Sequence, residues 1–291
     1  MNREIQTEKP PILRQPCWSP VRVNRQAKIM QTGFAYTKLA NHLASIAELS
    51  ETDLDLLTRM PFTIGHFSSH ETILRGGDRP DHCCLLLQGY LCWQDTTSSM
   101  GQITSVYVPG DVPDLQTLRS PAAGANLRAL GNVVVAFVPH DFFHDIASAS
   151  PALESALSLL NVIDAASLRH WLVNLGSRDS LTRVAHLFCE ITLRLRAVGL
   201  ARDYQFASPF TQSDLAAACG ISPVHANRII QTLRRKHLLQ WQSKSVTVTD
   251  WPALTRLARF NPDYLHLRHP LPASPRPASR PTMEVEVPAQ P

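Results

Sequence analysis

The stretch from Phe210 to Gln240 constrains this chain more than any other, because it predicts two short helices joined by a tight turn. Thr211 is a favourable N-cap for the first helix, and Asp214 can complete a capping box three residues later. Gly220 suits a turn that needs a left-handed backbone conformation. The local signals therefore place one helix before Gly220 and a second helix after it.

The second helix shows two chemically distinct faces. Ser222 caps it, and Pro223 stands at its first position, where a missing N–H is tolerated. Its apolar stripe at helical spacing consists of Ala226, Ile229, Ile230 and Leu233. The opposite face carries His225, Asn227, Arg228, Gln231, Arg234, Arg235 and Lys236. This pattern is typical of a helix-turn-helix whose second helix enters the major groove of DNA.

The alternative interpretation is an ordinary helical hairpin with a solvated basic face. Ala216 and Gly220 are small where two helices must cross closely, which favours the helix-turn-helix. The following segment, 239–248, reads as a β-hairpin, with Lys244 at its tip placed to meet a phosphate. A hairpin in this position is a wing that accompanies the recognition helix.

The stretch TQSDLAAACGISPVHANRIIQTLRRKHLLQ resembles the C-terminal domain of the Crp–Fnr superfamily of bacterial transcription regulators, and the similarity spans roughly 36–260. The resemblance implies a homodimer that binds double-stranded DNA, with RNA polymerase as a further partner. Arg228 matches the arginine of the family's recognition helix, where it can contact guanine in a bidentate manner. The predicted DNA-binding residues are Thr211, Gln212, Ser222, Val224, His225, Asn227, Arg228, Gln231, Arg235 and Lys244.

The distribution of charge supports DNA contact through one module only. Residues 36–175 carry 7 Lys and Arg against 14 Asp and Glu, whereas residues 177–260 carry 12 against 5. A basic C-terminal half suits a polyanionic partner. The sequence shows neither a membrane-length apolar run nor a signal peptide, so we expect a cytoplasmic protein.

The six cysteines, at positions 17, 83, 84, 92, 189 and 219, have no metal-binding spacing. In a reducing compartment most of them are expected to be small buried side chains. The oxygen-sensing branch of the resembled family holds an iron–sulfur cluster with an N-terminal cysteine group. Only Cys17 lies in that region, so we expect no such cofactor.

Short β-rich segments punctuated by glycines run from about 61 to 139. They are Thr72–Leu74, Cys83–Leu87, Tyr90–Gln94, Ile103–Val108, Asn126–Ala129 and Val133–Val138. This spacing is typical of a sandwich or a jelly roll. The cadence RGGDRPDHCCLLLQGYLCWQ followed by VYVPGDVPDLQTL resembles the family's cyclic-nucleotide-binding-like sensor domain.

The departures from the cyclic-nucleotide pattern matter more than the match. Asp111 stands where the family's Gly-Glu places the ribose-binding glutamate, and Ala123-Gly124-Ala125 stands where an Arg-Ser/Thr-Ala triplet holds the phosphate. We therefore expect an effector other than cyclic AMP, or none. The candidate effector pocket consists of Gly110, Asp111, Arg119 and Arg128.

The histidines of this half raise the question of a metal. His66, His70 and His82 lack the H-x-H pair of a cupin enzyme, and adjacent Cys83 and Cys84 must point to opposite faces of a strand. We therefore predict no metal site. A cupin-type barrel enzyme remains the less favoured alternative.

A helical region follows from Phe142 to Leu175. Two apolar ridges, one of them through Leu160 and Ile163, fit a helix that contacts both its own barrel and a partner's copy. We predict dimerisation through 151–175 and a hinge at Asn174-Leu175-Gly176. The next helix, through Leu181 to Val198, is expected to brace the helix-turn-helix.

The predicted fold is α+β, with an N-terminal jelly-roll (double-stranded β-helix) sensor domain, a long dimerisation helix and a C-terminal winged helix-turn-helix. The predicted divisions are a disordered segment 1–35, a sensor 36–150, the helix and hinge 151–176, a DNA-binding domain 177–260 and a Pro-rich disordered tail 261–291. We expect a non-enzymatic transcription regulator. A cyclic-nucleotide-responsive signalling module, whose basic domain binds protein, is the other alternative.

Overall fold

The structure is a computed structural model that describes residues 25–95, 101–120, 122–208 and 210–268, with backbone alone for 25–34. The eight helices of this part are α1 (Arg25–Ile46), α2 (Glu51–Thr58), α3 (His140–Ala149), α4 (Pro151–Ser177), α5 (Ser180–Ala197), α6 (Gln212–Cys219), α7 (Pro223–Arg235) and α8 (Trp251–Ala258). The strands are β1 (Thr63–Phe67), β2 (Thr72–Leu74), β3 (His82–Asp95), β4 (Gln102–Tyr107), β5 (Asn126–Pro139), β6 (Gln205–Ala207), β7 (Leu239–Gln242) and β8 (Ser245–Val248). The expected α+β class, with a β domain before a helical winged domain, is confirmed.

The N-terminal domain is built on one antiparallel sheet. Its strand order is β1-β5-β3-β4, and β2 pairs with the outer part of β5. The segments predicted as separate short strands on either side of Gly89 and of Gly131 are continuous strands. Gly89 and Gly131 have positive φ angles, of 85° and 82°. The register between β3 and β5 shifts next to Gly89. These glycines therefore mark bulges that bend long strands, not turns that end short ones.

The interior of the β domain is filled by apolar side chains. Phe67, Leu86, Leu91, Trp93, Leu127 and Phe137 belong to this buried cluster. Trp93 is 7% exposed, and its indole N–H donates to the Pro113 carbonyl at 3.1 Å. The ring thus fixes the 110–118 segment over the strands.

Helices cover a second face of the sheet. Residues of α1, α2, α3 and the first turns of α4 pack on Cys83, Leu85 and Val138. Helix α1 begins at Arg25, well inside the segment predicted to be disordered; residues 1–24 lie outside the described part. The Ser150 hydroxyl donates to Asp53 at 2.5 Å and also accepts from the Leu153 N–H, so it joins α2 to the start of α4.

Helix α4 is longer than predicted at its C-terminal end. It runs through Gly176 to Ser177, and α5 starts at Ser180 behind its N-cap Asp179. The predicted hinge at residues 174–176 is therefore wrong by about three positions. A glycine inside a helix costs only about 1 kcal/mol, which the packing of Trp171 and Asn174 overcomes. The connection consists of Arg178 and Asp179 alone.

The C-terminal domain contains α5 to α8 and a three-stranded sheet in the order β6-β8-β7. After α8 the chain remains ordered beyond the predicted start of the tail at 261. Tyr264 and Leu265 are buried, and the Tyr264 hydroxyl donates to Glu190 at 2.7 Å. The buried Tyr264 anchors this segment. The prolines that follow it in the sequence are the reason for the predicted disordered tail from 261. Residues 269–291 lie outside the described part.

The C-terminal domain is docked on the outer face of the β domain. Tyr90, Cys92, Ile103 and Val106 share one buried cluster with residues of α5, α6 and α7. Gln102 donates from Nε2 to the Ala217 carbonyl at 2.7 Å, and the Tyr90 hydroxyl donates to the Ala207 carbonyl at 2.7 Å. The two domains thus form one continuous packed unit in this conformation.

Candidate nucleic-acid interface

Helix α6 has the termini that its sequence predicts. The Thr211 hydroxyl accepts from the Asp214 N–H at 3.1 Å, and the Asp214 carboxylate accepts from the Thr211 N–H at 2.9 Å, which completes a capping box. Gly220 ends the helix with φ 59° and ψ 44°. Since non-glycine residues adopt this left-handed region at a cost, the glycine sets the sharp turn between α6 and α7.

Helix α7 presents its polar face to solvent. The Ser222 hydroxyl accepts from the His225 N–H at 3.2 Å, and Pro223 occupies the first turn. The apolar stripe is buried against α5 and α6, as the sequence predicts; it consists of Ala226, Ile229, Ile230 and Leu233. The remaining side chains of the helix are consequently free to meet a ligand.

Most of the predicted DNA-binding residues share this free surface. The exposed residues are Thr211, Gln212, Ser222, Val224, His225, Arg228, Gln231, Arg235 and Lys244. Val224 is 64% exposed, which is unusual for an apolar residue and places its methyl groups at the outer edge of the helix. The segment from 215 to 249 contains no Asp or Glu, so neither α7 nor the wing carries an acidic residue to oppose an anion.

Two of the predicted residues on α7 are also bonded to other helices. Asn227 is half-buried and donates from its amide to Gln212 Oε1 at 3.2 Å, which links α7 to the first residue of α6. His225 Nε2 lies 2.9 Å from the Ser180 hydroxyl at the start of α5. Ser180 was not predicted from the sequence, because it lies 45 residues from His225 and no local pattern connects them.

The wing is present and is one strand larger than predicted. β7 and β8 form the hairpin, with Ser243 at φ 53° in the turn and Lys244 exposed beside it. β6 pairs with β8 along Gln205–Ala207, and the Ser208 N–H donates to the Lys244 carbonyl at 2.7 Å. The third strand holds the wing tip at a fixed position relative to α6.

The four candidate effector residues do not share one pocket. Arg128 donates to the His70 carbonyl at 2.6 Å and to Gln94 Oε1 at 2.6 Å, and Arg119 is exposed at the end of a short 3-10 helix, Leu115–Leu118. Gly110, with φ 104°, allows its turn to approach α1 closely, since a Cβ there would lie 2.9 Å from the Lys38 carbonyl. Strand pairing commits Arg128 to β2 and β3, so the predicted grouping is wrong.

Asp111 instead faces the docked C-terminal domain. Arg194 of α5 donates to its Oδ2 at 2.6 Å, and the Val108 N–H donates to the same carboxylate at 2.7 Å. The side chains of Asp111 and Arg194 are 5% and 14% exposed, respectively. Burial alone would lower the pKa of the Arg194 guanidinium, but the carboxylates of Asp111 and Glu190 outweigh it and raise that pKa. The Arg194 guanidinium is therefore charged, and its bond to Asp111 joins the two domains.

The five cysteines of the described part are buried and free, which agrees with the expectation that most of the six are buried; Cys17 lies outside that part. Within the described ranges, no group of three or more His, Cys, Asp and Glu side chains is placed to hold a metal ion. None of the helices in those ranges is both long and apolar enough to cross a bilayer.

Comparison with known families and proteins matches both halves of the chain. A Crp-like helix-turn-helix domain model matches residues 182–257, and a cyclic nucleotide-binding domain model matches residues 64–150. An anaerobic regulatory protein of Haemophilus influenzae is 21% identical over 215 residues, covering 73% of this chain and 83% of that protein. An anaerobic regulatory protein of Pasteurella multocida is 22% identical over 213 residues, covering 72% and 77%.

The fold is also found among solved structures. FixK2 from Bradyrhizobium japonicum aligns with a TM-score of 0.61 at 18% identity, covering 68% of this chain and 98% of that chain. A CooA mutant from Carboxydothermus hydrogenoformans aligns with a TM-score of 0.53 at 14% identity, covering 76% and 95%. The order of a β domain, a long helix and a helix-turn-helix domain is common to them and to this chain.

Proposed function

Because this chain belongs to the Crp–Fnr family of transcription regulators, with a sensor domain and a DNA-binding helix-turn-helix, we propose that it binds a two-fold symmetric operator as a homodimer. The observation that carries this proposal is the exposed face of α7, which is basic at Arg228 and Arg235 and continues to Lys244 on the wing. Two such helices would enter major grooves about 34 Å apart, one helical turn of DNA. Contact with RNA polymerase is part of the proposal and rests on family membership alone.

Arg228 is proposed to read a base, whereas Lys244 and Arg235 hold phosphates. Arg228 is exposed and lies near the N-terminal end of α7, where side chains reach base edges. A guanidinium can make two hydrogen bonds to guanine O6 and N7. Lys244 lies at the tip of the wing rather than on α7, and its point charge is proposed to meet the DNA backbone there.

Selection of binding sites from random DNA tests these roles. Arg228→Ala is expected to cost about 1–3 kcal/mol and to relax preference at one base pair per half-site. Lys244→Ala is expected to weaken all sequences alike and to lower the salt slope by about one. Arg256→Ala, an exposed arginine on α8, is the matched control.

An unchanged base preference for Arg228→Ala, together with an altered preference for Lys244→Ala, would reverse the two assignments. Equal losses for all three variants would indicate nonspecific attraction of a basic domain, which contradicts the proposed sequence-specific role.

The dimer surface is proposed to be the outer side of α4. Val162, Leu172 and Val173 are 51%, 71% and 50% exposed, and helical spacing puts Val162 and Val173 opposite the buried Leu153 and Trp171. Val162, Ala166, Arg169 and Val173 follow the 4-3-4 spacing by which two helices pack along a seam. Exposed apolar residues gathered on one helix face favour a partner helix.

The apolar spacing alone predicts Leu160 and Ile163 as the dimer contact, whereas this proposed surface comprises Val162 and Val173. Leu160 and Ile163 are only half-exposed. Leu160 packs on the apolar cluster that α1, α2 and α3 form with the sheet of the same chain. The two apolar ridges exist, but Leu160 and Ile163 belong to the intramolecular one.

An effector other than cyclic AMP is proposed to control DNA binding. The inside of the β domain is filled by Trp93, Leu91 and Leu127, and Ala123 is buried in the same cluster at the position of the family's phosphate-binding arginine. An anion buried there would lack a paired cation, which is costly.

A further inference from the structure

A cavity lies where the two domains and α4 meet. Its volume is about 60 Å³, and its wall is contributed by α1, β4, the 111–116 segment, α4, α5 and the segment after α8. One side of the wall is apolar and includes Ile46, Leu160, Ile163 and Leu267. A water molecule needs about 10–15 Å³ by this measure, so the cavity accommodates a molecule of about four heavy atoms.

The polar side of the wall carries more acid than base. Three carboxyl groups, of Asp111, Asp164 and Glu190, line the cavity beside a single guanidinium, that of Arg194. Arg194 makes its short bond, 2.6 Å, to Asp111, while Glu190 lies 3.5 Å away. One guanidinium therefore serves two buried acids, Asp111 and Glu190, and the half-buried Asp164.

Apart from the 3.5 Å contact between Arg194 and Glu190, the carboxyl groups of Asp164 and Glu190 accept hydrogen bonds only from neutral donors among the described residues. Tyr107 donates its hydroxyl to Asp164 at 2.6 Å. Glu190 accepts from the Tyr264 hydroxyl at 2.7 Å and from the Trp171 indole at 3.1 Å. Burial raises the pKa of Glu190 and of Asp164, despite the opposing effects of these donors and of Arg194.

A histidine nitrogen in the same wall has no hydrogen-bond partner. His42 Nδ1 is buried and lies 3.4 Å from Asp111 Oδ1, in a geometry that makes no hydrogen bond. Burial lowers the pKa of His42, with Asp111 opposing and Arg194 adding to the effect, so the ring is neutral. His42 therefore supplies an unused acceptor or donor rather than the missing positive charge.

We propose that this cavity binds a small organic cation, an alkylammonium of about four heavy atoms, with its charge beside Glu190 and Asp164 and its alkyl part against Leu160 and Ile163. The ammonium supplies the missing counter-charge and three N–H donors. The site lies outside the filled interior of the β domain, which is the position of the family's nucleotide pocket.

Occupation of the cavity also competes with Arg194 for its carboxylates. Arg194 belongs to α5 of the DNA-binding domain and Asp111 to the sensor domain, so a cation bound beside Glu190 and Asp164 repels the guanidinium and weakens the contact that docks one domain on the other. The ligand then shifts the position of α7, provided that the proposed DNA-binding function holds.

Calorimetric titration of the full chain with three probes of equal heavy-atom number tests the site: propan-1-amine, propan-1-ol and acetate at constant ionic strength. Propan-1-amine is expected to saturate one site per chain, propan-1-ol to bind about tenfold more weakly, and acetate not to bind. Equal affinities for the amine and the alcohol would mean that the cavity binds apolar groups without regard to charge. No binding of the amine would mean that the carboxyl groups are neutralised by protonation and need no cation. Either result overturns the proposal.

Variants locate the binding event. Glu190→Gln and Asp164→Asn are each expected to weaken propan-1-amine by about tenfold, while Asp55→Asn, an exposed acid on α2, leaves it unchanged. Thermal melts establish that each variant is folded. Since Glu190 has more partners, Asp164→Asn decides the result if Glu190→Gln does not fold; unchanged amine affinity in a folded variant overturns the assignment.

Operator binding with and without propan-1-amine separates this inference from the proposed function. An affinity change of about threefold or more supports regulation through Arg194. Amine binding that leaves operator affinity unchanged overturns the regulatory step, whereas failure of the unliganded protein to select any DNA sequence overturns the proposed function instead.

Discussion

Arg194 and Asp111 form a 2.6 Å ion pair across 83 residues of sequence, and each belongs to a different domain. Asp111 occupies the position at which the resembled family places a ligand-binding acid. In this chain its carboxylate is bonded to an arginine of the DNA-binding domain. The segment that carries Asp111 corresponds to a ligand-binding segment in that family. In this chain it contacts the DNA-binding domain directly.

Replacement of Arg194 by glutamine is expected to lower the free energy of unfolding by about 3 kcal/mol, because it leaves Asp111 buried without a cation. Urea denaturation measures this change. Arg59→Gln is the control, since Arg59 and Asp55 form a 2.7 Å pair that is 71% and 61% exposed, for which about 0.5 kcal/mol or less is expected. Similar losses in the two variants would show that the interdomain pair is no stronger than a surface pair.

The double substitution Val162→Glu and Val173→Glu is expected to yield monomers with weakened operator affinity, because it places like charges along the α4 seam. Light scattering gives the mass in solution. Leu54→Glu, at a residue of α2 that is 38% exposed, is the matched control and should remain dimeric. A double variant that stays dimeric would locate the interface elsewhere.

Cyclic AMP is expected to change operator affinity by less than about tenfold, because Trp93 and Ala123 occupy the interior where the nucleotide would lie. Fluorescence anisotropy with labelled operator, at saturating cyclic AMP and with AMP as control, measures this. A larger shift specific to cyclic AMP would mean that the interior opens and that the missing arginine is replaced by another cation.

Glu190→Gln is expected to flatten the dependence of stability on pH. Burial raises the pKa of Glu190 above its usual 4.5, against the effects of Arg194, Tyr264 and Trp171. Above pH 4.5 the unfolded chain has released a proton that the folded protein keeps, so the free energy of unfolding falls as pH rises through the folded pKa.

Urea denaturation at intervals from about pH 5 to about pH 8 measures this slope. The slope is expected to be smaller in Glu190→Gln and to persist in part through Asp164, whose pKa burial also raises. Superimposable slopes for the variant and the wild type would mean that Glu190 does not titrate in this range.

The helix-turn-helix could be predicted almost residue by residue, because its signals are local. Thr211, Gly220 and Ser222 act within three or four residues of themselves, and the stripe of α7 has helical spacing. Longer strands were harder to predict, because a glycine such as Gly89 is compatible with both a turn and a bulge. Only the partner strand β5 decides between them.

The docking of the domains could not be predicted from any single stretch of sequence. Tertiary packing brings Gln102 to Ala217 and Asp111 to Arg194. The sequence around each of these residues contains no pattern that predicts its partner. Leu160 and Val162 illustrate the same limit. Both are apolar positions of one amphipathic helix, and only the placement of the β domain decides which of them is covered.

The two-residue connection between α4 and α5 has a mechanical consequence. Only Arg178 and Asp179 separate the two helices, so we propose that a change in the backbone angles of these two residues would turn the C-terminal domain as a unit. In the proposed dimer, a two-fold axis would relate the two C-terminal domains, so their turning would move the two α7 helices apart or together and change the number of base pairs between them. The preferred number of base pairs between operator half-sites would then depend on the angle between α4 and α5. A change in that number would show how far an effector turns the C-terminal domain.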